Sequence, residues 1–266
     1  MILPFLKWAG GKRWAVAAGA FPYPPMFKRY FEPFLGSGSV FFSLLPENAL
    51  LSDVNSELIE LYEVMRDEPS GLFVRMERHH RKHCKTYYYE VRGLVPQEKI
   101  DRAARTLYLN RTCWNGLYRV NLKGQFNVPI GTKDKVILDS DNFHKTAAAL
   151  SNANIKCCDF GESINQAEED DFVFIDSPYT VKHNTNGFLK YNEKIFSWDD
   201  QVRLKNSIAL AAERGVKIMA TNANHESIID LYDGVCQYRT LERFSVLSGD
   251  PAKRGMISEI LLTANL

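Results

Sequence analysis

The sequence is 266 residues, 45% hydrophobic and 24% charged, which fits one large buried core or two modest ones and excludes a disordered or fibrous chain. No apolar run approaches a membrane span, the opening MILPFLKWAGGKR lacks the basic-then-apolar order of a secretory leader, and the five cysteines (Cys84, Cys113, Cys157, Cys158, Cys236) form no C-x-x-C pair, so a soluble cytoplasmic protein with free thiols is expected. Net charge is only +1, yet residues 71–135 carry fourteen Lys or Arg against five Asp or Glu, +9 net, leaving −8 elsewhere; this basic middle suits either a nucleic-acid surface or a solvated helical face.

LKWAGGKR (6–13) comes first in the chain. It departs from the phosphate-loop pattern at Leu6 and Arg13, so a nucleotide triphosphatase is not indicated. Its Gly-Gly turn with Lys7, Trp8 and Lys12 suits a flexible loop covering a ligand. A strand is predicted over RYFEPF (29–34), running into FEPFLGSGSVFF (31–42), where Gly36 and Gly38 flank Ser37. Glycines there let backbone approach a ligand and start a helix that faces it, although a plain strand-to-helix turn also accounts for a bare G-x-G. The strand ALLSDV (49–54) reaches Asp53 about twenty residues past the Gly motif, where an acid can accept from two ribose hydroxyls. The alternative for Asp53 is a helix N-cap.

SELIELYEVMRDEP (56–69) has apolar residues at 58, 61, 62 and 65 and predicts a helix closed by Pro69. Helical patterning continues to about residue 112. Within it, HHRKHC (79–84) sets His79 and His83 one turn apart beside Cys84. No fourth ligand is evident and Arg78, Arg81 and Lys82 oppose a dication, so a solvated, phosphate-facing helix end is expected rather than a zinc site. GLYRVNLKGQFNVPIG (116–131) reads as a β-hairpin turning near Lys123 and Gly124.

Further strands are predicted over IKCCDF (155–160), DFVFID (171–176), VKIMAT (216–221), YRTLERFSV (238–246) and ISEILLTA (257–264), with Cys157 and Cys158 read as buried strand residues. Between them SWDDQVRLKNSIALAAERG (197–215) is a helix with Ser197 as N-cap and Gly215 as its stop. The last two strands lack a helix-length crossover, so one antiparallel strand is expected in a mostly parallel sheet. Residues 57–145 interrupt the strand–helix alternation. They are expected to form an inserted domain coinciding with the basic segment, and 1–56 with 146–266 the α/β domain.

VFIDSPYT (173–180) ends a buried strand on an acid, a serine, a proline and an aromatic. The exocyclic amine of a nucleobase is a poor nucleophile because its lone pair is conjugated into the ring. Two acceptors on its N–H bonds draw the nitrogen toward tetrahedral geometry and stabilise the positive charge that grows as a methyl group arrives. Asp176 can supply one acceptor and the Ser177 carbonyl the other. Pro178 stiffens the turn and biases Ser177 toward an extended backbone, and Tyr179 offers a face to a base removed from the duplex. Taken alone, the tetrapeptide is explained more simply as a turn that ends a strand. No Pro-Cys dipeptide occurs, which disfavours a cytosine-C5 methyltransferase.

Together, LKWAGGK (6–12), EPFLGSGSVFF (32–42), SDVNSELI (52–59), LYLNRTCWNGLYRVNLKGQFNVPIG (107–131) and DSPY (176–179), in this order, resemble the Dam-type DNA adenine N6-methyltransferases, the α group or D12 class of amino-methyltransferases. The resemblance spans nearly the whole chain. It implies an α/β, Rossmann-like class I S-adenosylmethionine-dependent methyltransferase domain with an inserted helical plus β-hairpin target-recognition domain. The implied reaction moves a methyl group from S-adenosyl-L-methionine to adenine N6 in double-stranded DNA, at GATC or a closely related site, leaving S-adenosyl-L-homocysteine and using no metal. A monomer in solution is expected, with pairing on DNA an open alternative.

The resemblance assigns catalysis to Asp176, Ser177, Pro178 and Tyr179. Cofactor contacts fall to Trp8, Gly10, Gly11, Lys12, Phe34, Gly36, Ser37, Gly38, Asp53 and Asp176, with Asp159 and Phe160 holding the adenine ring. Lys7, Leu117, Arg119 and Pro129 match site readers, Arg119 on a guanine edge. Trp114 and Asn115 match residues that wedge into the stack and help extrude the target adenine, and Arg111, Asn121 and Lys133 complete the DNA contacts. Two residues depart from the family pattern. Ser177 stands in place of a proline but keeps its carbonyl, so a modest loss of rate is expected. Lys133 replaces an aromatic, trading a base contact for a phosphate contact. Two alternatives stay open. One is a regulator that binds DNA and cofactor without turnover, against which intact Asp176 and Tyr179 weigh. The other is an amino-methyltransferase for cytosine N4, RNA or a glutamine amide, against which the basic hairpin insert weighs.

Overall fold

The structure, a computed structural model, describes residues 2–121, 123–182, 196–245 and 255–266. Its strands are β1 (Tyr30–Glu32), β2 (Ala49–Asp53), β3 (Ala153–Cys157), β4 (Phe172–Asp176), β5 (Lys217–Ala223), β6 (Gln237–Ser245) and β7 (Gly255–Ala264). They form one sheet in the order β3-β2-β1-β4-β5-β7-β6. Each predicted strand has its counterpart; Val246, the last residue of one prediction, lies outside the described residues. β1, β4 and β5 are mutually parallel, while β7 runs antiparallel to both β5 and β6. The architecture is therefore the expected mixed α/β one, with β7 reversed near the C-terminus.

The helices are α1 (Arg13–Ala17), α2 (Phe41–Leu44), α3 (Ser56–Asp67), α4 (Pro69–Lys82), α5 (Lys85–Gly93), α6 (Lys99–Thr112), α7 (Phe143–Leu150), α8 (Phe160–Ile164), α9 (Trp198–Glu213) and α10 (Glu226–Tyr232). None of the described helices is long and apolar enough to cross a membrane. Asn55 caps α3 by accepting from Leu58 N at 3.2 Å. Pro69 does more than close α3: it opens α4 at a position where its missing N–H costs nothing. α9 begins with a reciprocal capping box between Ser197 and Asp200 and is followed by Gly215 at φ 81°.

The chain divides into two compact units drawn differently from the expected domains. The first comprises Met1–Ala18, Leu35–Glu47 and Leu51–Cys157, so it joins the helical segment to the GGK loop and the Gly-rich turn. In it α3 packs on α6, α7 and β3, and α4 packs on α6 and α7. The second comprises Gly19–Phe34, Asn48–Leu50 and Cys158–Leu266. Its core gathers Val173, Ile175, Ile218, Ala220, Ile260 and Leu262 of the sheet against Leu204, Ile208 and Ala211 of α9. On the opposite face Phe172 and Phe174 meet Phe27 and Phe21, each pair at 5.5 Å between ring centroids. A strand covered on both faces must be apolar throughout, which is why FVFI reads as an unbroken run. Each such side chain stabilises the fold by about 1.5–3 kcal/mol.

Four local expectations are corrected. The helix after the Gly motif is a single turn, α2. Cys157 is exposed and only Cys158 is buried. The 116–131 segment turns back where expected, but its described pairing is limited to bridges Val120↔Phe126 and Cys113↔Ile130. The His79–Cys84 segment is only in part the solvated helix end expected: His80, Arg81, Lys82 and Cys84 are exposed, whereas His79 and His83 are half-buried. His79 stacks on Tyr108 at 4.6 Å and bonds the Tyr87 hydroxyl at 2.9 Å, His83 bonds the Tyr108 hydroxyl at 2.8 Å, and Cys84 caps α5. Burial lowers the His79 pKa to about 4, so the ring is neutral. Among the described residues no group of His, Cys, Asp or Glu gathers as a metal set would require.

Candidate functional site

In the first unit, two tight turns of the chain meet. Gly36 and Gly38 adopt φ of 46° and 63°, conformations that disfavour a side chain. A Cβ on Gly36 would fall 2.7 Å from Trp8 Cδ1, so the indole seats directly on bare backbone. Trp8 also stacks on Tyr118 at 5.4 Å and 24°, and the Tyr62 hydroxyl donates to the Gly36 carbonyl at 3.2 Å. Gly11 N donates to Trp8 O at 3.2 Å, and a Cβ on Gly11 would meet Ser37 Oγ at 3.2 Å. Lys12 corrects the picture of a flexible covering loop: it is 2% exposed, with its ammonium folded onto the Gly10 carbonyl at 2.7 Å.

Asp53 sits at the end of β2 and belongs to this cluster. Its Oδ2 accepts from Gly36 N at 3.3 Å and its Oδ1 from Asn55 N at 3.0 Å. Burial raises its pKa, opposed by bonds from the backbone N–H groups of Asn55, Gly36 and Val54. The N-cap of α3 is Asn55, so the capping alternative for Asp53 falls away. A carboxylate with this few partners keeps acceptor capacity for a diol. Trp8, Gly10, Gly11, Lys12, Gly36, Ser37, Gly38 and Asp53 are thus gathered in one unit.

The first unit also gathers the expected DNA readers. Asn110, buried at the end of α6, accepts from Lys7 N at 2.9 Å and donates to Lys7 O at 2.7 Å. Gly116, at φ 65°, brings its backbone against the Lys7 stem, where a Cβ would lie 2.7 Å from Lys7 Cδ. Trp114 N donates to Pro129 O at 2.9 Å. Trp114 is 50% exposed, and Asn115 is exposed in a left-handed conformation at φ 56°, a rare state for a non-glycine residue. Leu117 is half-buried, while Arg119, Pro129 and Lys133 are exposed. Arg119 Nε donates to Asn127 Oδ1 at 2.8 Å, leaving its terminal nitrogens outward of that bond. Lys7 is pushed down to a pKa of about 8 by burial and by the neighbouring Lys133 ammonium.

Two of the expected DNA contacts do other work. Arg111 is buried: Nη1 and Nη2 grip Asp141 at 2.6 and 2.7 Å and also donate to Val136 O and Phe5 O, each at 2.8 Å. It is a framework residue, because its terminal donors are spent inside the unit. Asn121 builds the turn: its Oδ1 accepts from Lys123 N at 2.9 Å and Gln125 N at 3.0 Å.

In the second unit, β4 ends at Asp176, whose Oδ1 accepts from Thr221 Oγ1 at 2.7 Å. Ser177 follows, 3% exposed, and its hydroxyl has no hydrogen-bond partner among the described residues. The Pro178 carbonyl accepts from Gln201 Nε2 at 3.4 Å, and the Tyr179 hydroxyl donates to Glu259 Oε2 at 2.7 Å. Burial, then Asp176 and Glu259, hold the Tyr179 phenol well above its ordinary pKa, so it stays protonated. Beside α8, Phe34 stacks on Phe160 at 5.4 Å and 22°. Asp159 caps α8 through Gly161 N at 2.9 Å and is paired with Arg203 at 2.6 Å, which lowers its pKa. The Arg203 guanidinium also lies 4.1 Å over the Phe160 ring. Phe160 is therefore a buried wall rather than an open platform, and Phe34 is the more accessible ring.

Sequence reasoning missed Tyr118, Asn110, Thr221, Arg203 and Glu259. Glu259 carried a signal, a lone acid inside the apolar strand ISEILLTA, since unpaired acids are almost never fully buried. Thr221 and Arg203 had none, because only strand register and helix docking bring them to the site.

A family model described as D12 class N6 adenine-specific DNA methyltransferase matches residues 8–247. The chain is 36% identical over 269 residues to the Type II methyltransferase M1.LlaDCHI of Lactococcus lactis subsp. cremoris, covering 98% of this chain and 94% of that protein. It is 31% identical over 262 residues to the DNA adenine methylase of Vibrio cholerae serotype O1, covering 97% and 94%. It is 36% identical over 230 residues to the DNA N-6-adenine-methyltransferase of Escherichia phage P1, covering 85% of this chain and 30% of that protein.

Proposed function

The chain belongs to the D12 class of N6 adenine-specific DNA methyltransferases, and from that premise we propose that it methylates adenine N6 in double-stranded DNA, at GATC or a closely related site, with S-adenosyl-L-methionine as donor. The observation that carries the reading is Asp176. It stands at the C-terminal end of a central parallel strand, where open α/β sheets bind their ligands, with one oxygen held by Thr221 and Ser177 and Tyr179 following it.

Asp176 Oδ2 and the Ser177 carbonyl accept the two N–H bonds of the adenine amine and draw its lone pair out of conjugation. As positive charge grows on the nitrogen, the Asp176 carboxylate stabilises it and takes the proton that leaves. Tyr179 stacks on the everted base. Ser177 costs one ring of rigidity relative to proline and keeps the carbonyl.

The cofactor fits the residues present, because Gly36 offers bare backbone at van der Waals range of Trp8 and Asp53 keeps acceptor capacity for a ribose diol. Bound S-adenosylmethionine would supply an electrophilic methyl group on a sulfonium. Trp8, Lys12, Gly36–Gly38 and Asp53 of the first unit would hold its methionine and ribose parts. Residues 57–145 would serve target recognition, with Lys7, Leu117, Arg119, Pro129 and Lys133 on DNA and Trp114 and Asn115 opening the stack. The exposure of Trp114 and Arg119 supports these roles.

The test is nucleoside analysis of duplex DNA treated with the protein and S-adenosylmethionine, followed by site mapping. N6-methyladenine in GATC or a near variant is expected. N4-methylcytosine, or no modified base, would overturn the reading.

A further inference from the structure

β7 runs against its neighbours, so its first residues lie beside the C-terminal ends of β5 and, through β5, of β4. The register pairs Asp176 with Thr221, Thr221 with Leu261, and Ala223 with Glu259. Because side chains alternate along a strand, Asp176, Thr221 and Glu259 share one face, opposite the one on which Val173, Ile175, Ile218, Ala220, Ile260 and Leu262 form the core. Glu259 is 2% exposed on a strand otherwise apolar at its buried positions. A carboxyl group there is costly unless it is hydrogen-bonded, and Tyr179 supplies the bond at 2.7 Å. Thr221 touches both sides of the network, bonding Asp176 and also reaching Tyr179.

We propose that Glu259 is a positioning residue for the methyl acceptor, fixing the Tyr179 ring through its hydroxyl so that an everted base stacks in register with Asp176. This rests on the adenine N6 reading above. A ring anchored only by its own Cβ can swing about χ1 and χ2. A ring whose far end is held by a buried acceptor cannot, and the network through Thr221 ties that ring to the rotamer of the carboxylate. Glu259 touches no substrate; it acts through Tyr179.

The test is a double-variant cycle of Glu259→Leu and Tyr179→Phe, read as the single-turnover rate of methyl transfer at saturating DNA and cofactor. Each single variant is expected to lose about 10- to 100-fold, the range that displacement of a positioned group by about 1 Å produces. The double variant should lose no more than either alone. Glu259→Gln, which keeps an acceptor for the phenol, should retain most of the rate. With 2-aminopurine at the target adenine, both single variants should show less quenched fluorescence than wild type, because the everted base loses its aligned ring. Multiplying losses in the double variant, a wild-type rate for Tyr179→Phe, or a Glu259→Gln variant as slow as Glu259→Leu would each overturn the assignment. If Glu259→Leu fails to fold, a wild-type rate for Tyr179→Phe, or a Glu259→Gln rate as low as that of Tyr179→Phe, still overturns it. A wild-type protein that methylates no adenine would instead remove the reading on which the proposal rests.

Discussion

Arg111→Ala separates framework from DNA contact. The Arg111 and Asp141 side chains are 2% and 5% exposed and joined by two bonds of 2.6 and 2.7 Å. Removing one partner of such a pair leaves a buried charge uncompensated, which costs about 3–5 kcal/mol. Asp141 would keep its bond from Leu138 N at 2.8 Å, which favours the lower end. The Phe5 and Val136 carbonyls would lose a donor, which pushes the other way. A loss near the middle of that range follows, or a fall in melting temperature on the order of 10 °C for a chain of this size. Denaturant unfolding measures the first and calorimetry the second. In parallel, the salt dependence of DNA binding by the folded variant should be unchanged. A lost phosphate contact would lower the slope of log K against log salt by about 0.9. If that slope falls while stability stays put, Arg111 is a DNA residue and the framework assignment is wrong.

Gly36→Ala would drive a methyl group to 2.7 Å from Trp8 Cδ1 at a backbone φ of 46°; the indole must move, and affinity for S-adenosylhomocysteine in calorimetric titration should drop by about tenfold, a cost of about 1.4 kcal/mol, whereas unchanged affinity would mean that Trp8 is no part of the pocket. Lys7 holds its proton in the free protein only below about pH 8, against an ordinary 10.5. An unfolded chain would take that proton first, so this group lowers stability below about pH 8 and the deficit disappears as pH rises through 8 toward 10.5. Phosphate or base acceptors would restore the ammonium, so DNA affinity should fall as pH rises above about 8 and Lys7→Gln should flatten the profile; a wild-type profile flat over that range contradicts this. Arg119→Ala should cost about 1–3 kcal/mol of discrimination at one base pair, measured as the ratio of kcat/KM for cognate and single-substituted duplexes; an unchanged ratio removes Arg119 from the readers.

Much of the fold was legible because its signals are local. FVFI and VKIMAT, runs bounded by polar residues, mark strands, Ser197 and Gly215 mark the ends of α9, and the absence of a crossover before ISEILLTA marks the reversed strand. The turn at Gly36 and Gly38 was legible because both residues adopt positive φ, which favours glycine. What stayed hidden depends on long-range docking. Arg111 sits in the same basic block as Arg119, and nothing local tells that one reaches Asp141 thirty residues on while the other points outward. The division of the chain was equally obscure. Asn110 and Arg111 tie the N-terminal loop to the helical segment through Lys7 and Phe5, contacts that no periodicity records. Histidines interleaved with Arg and Lys looked solvated, yet Tyr87 and Tyr108 draw in His79 and His83, while His80 stays exposed.

The most direct trial of the central claim compares wild type with Asp176→Ala in single turnover at equal DNA occupancy, counting N6-methyladenine in the digested product. N6-methyladenine should accumulate with the wild type and not with the variant, whose grip on duplex DNA stays close to normal. Near-normal N6-methyladenine from Asp176→Ala would mean that some other group activates the amine.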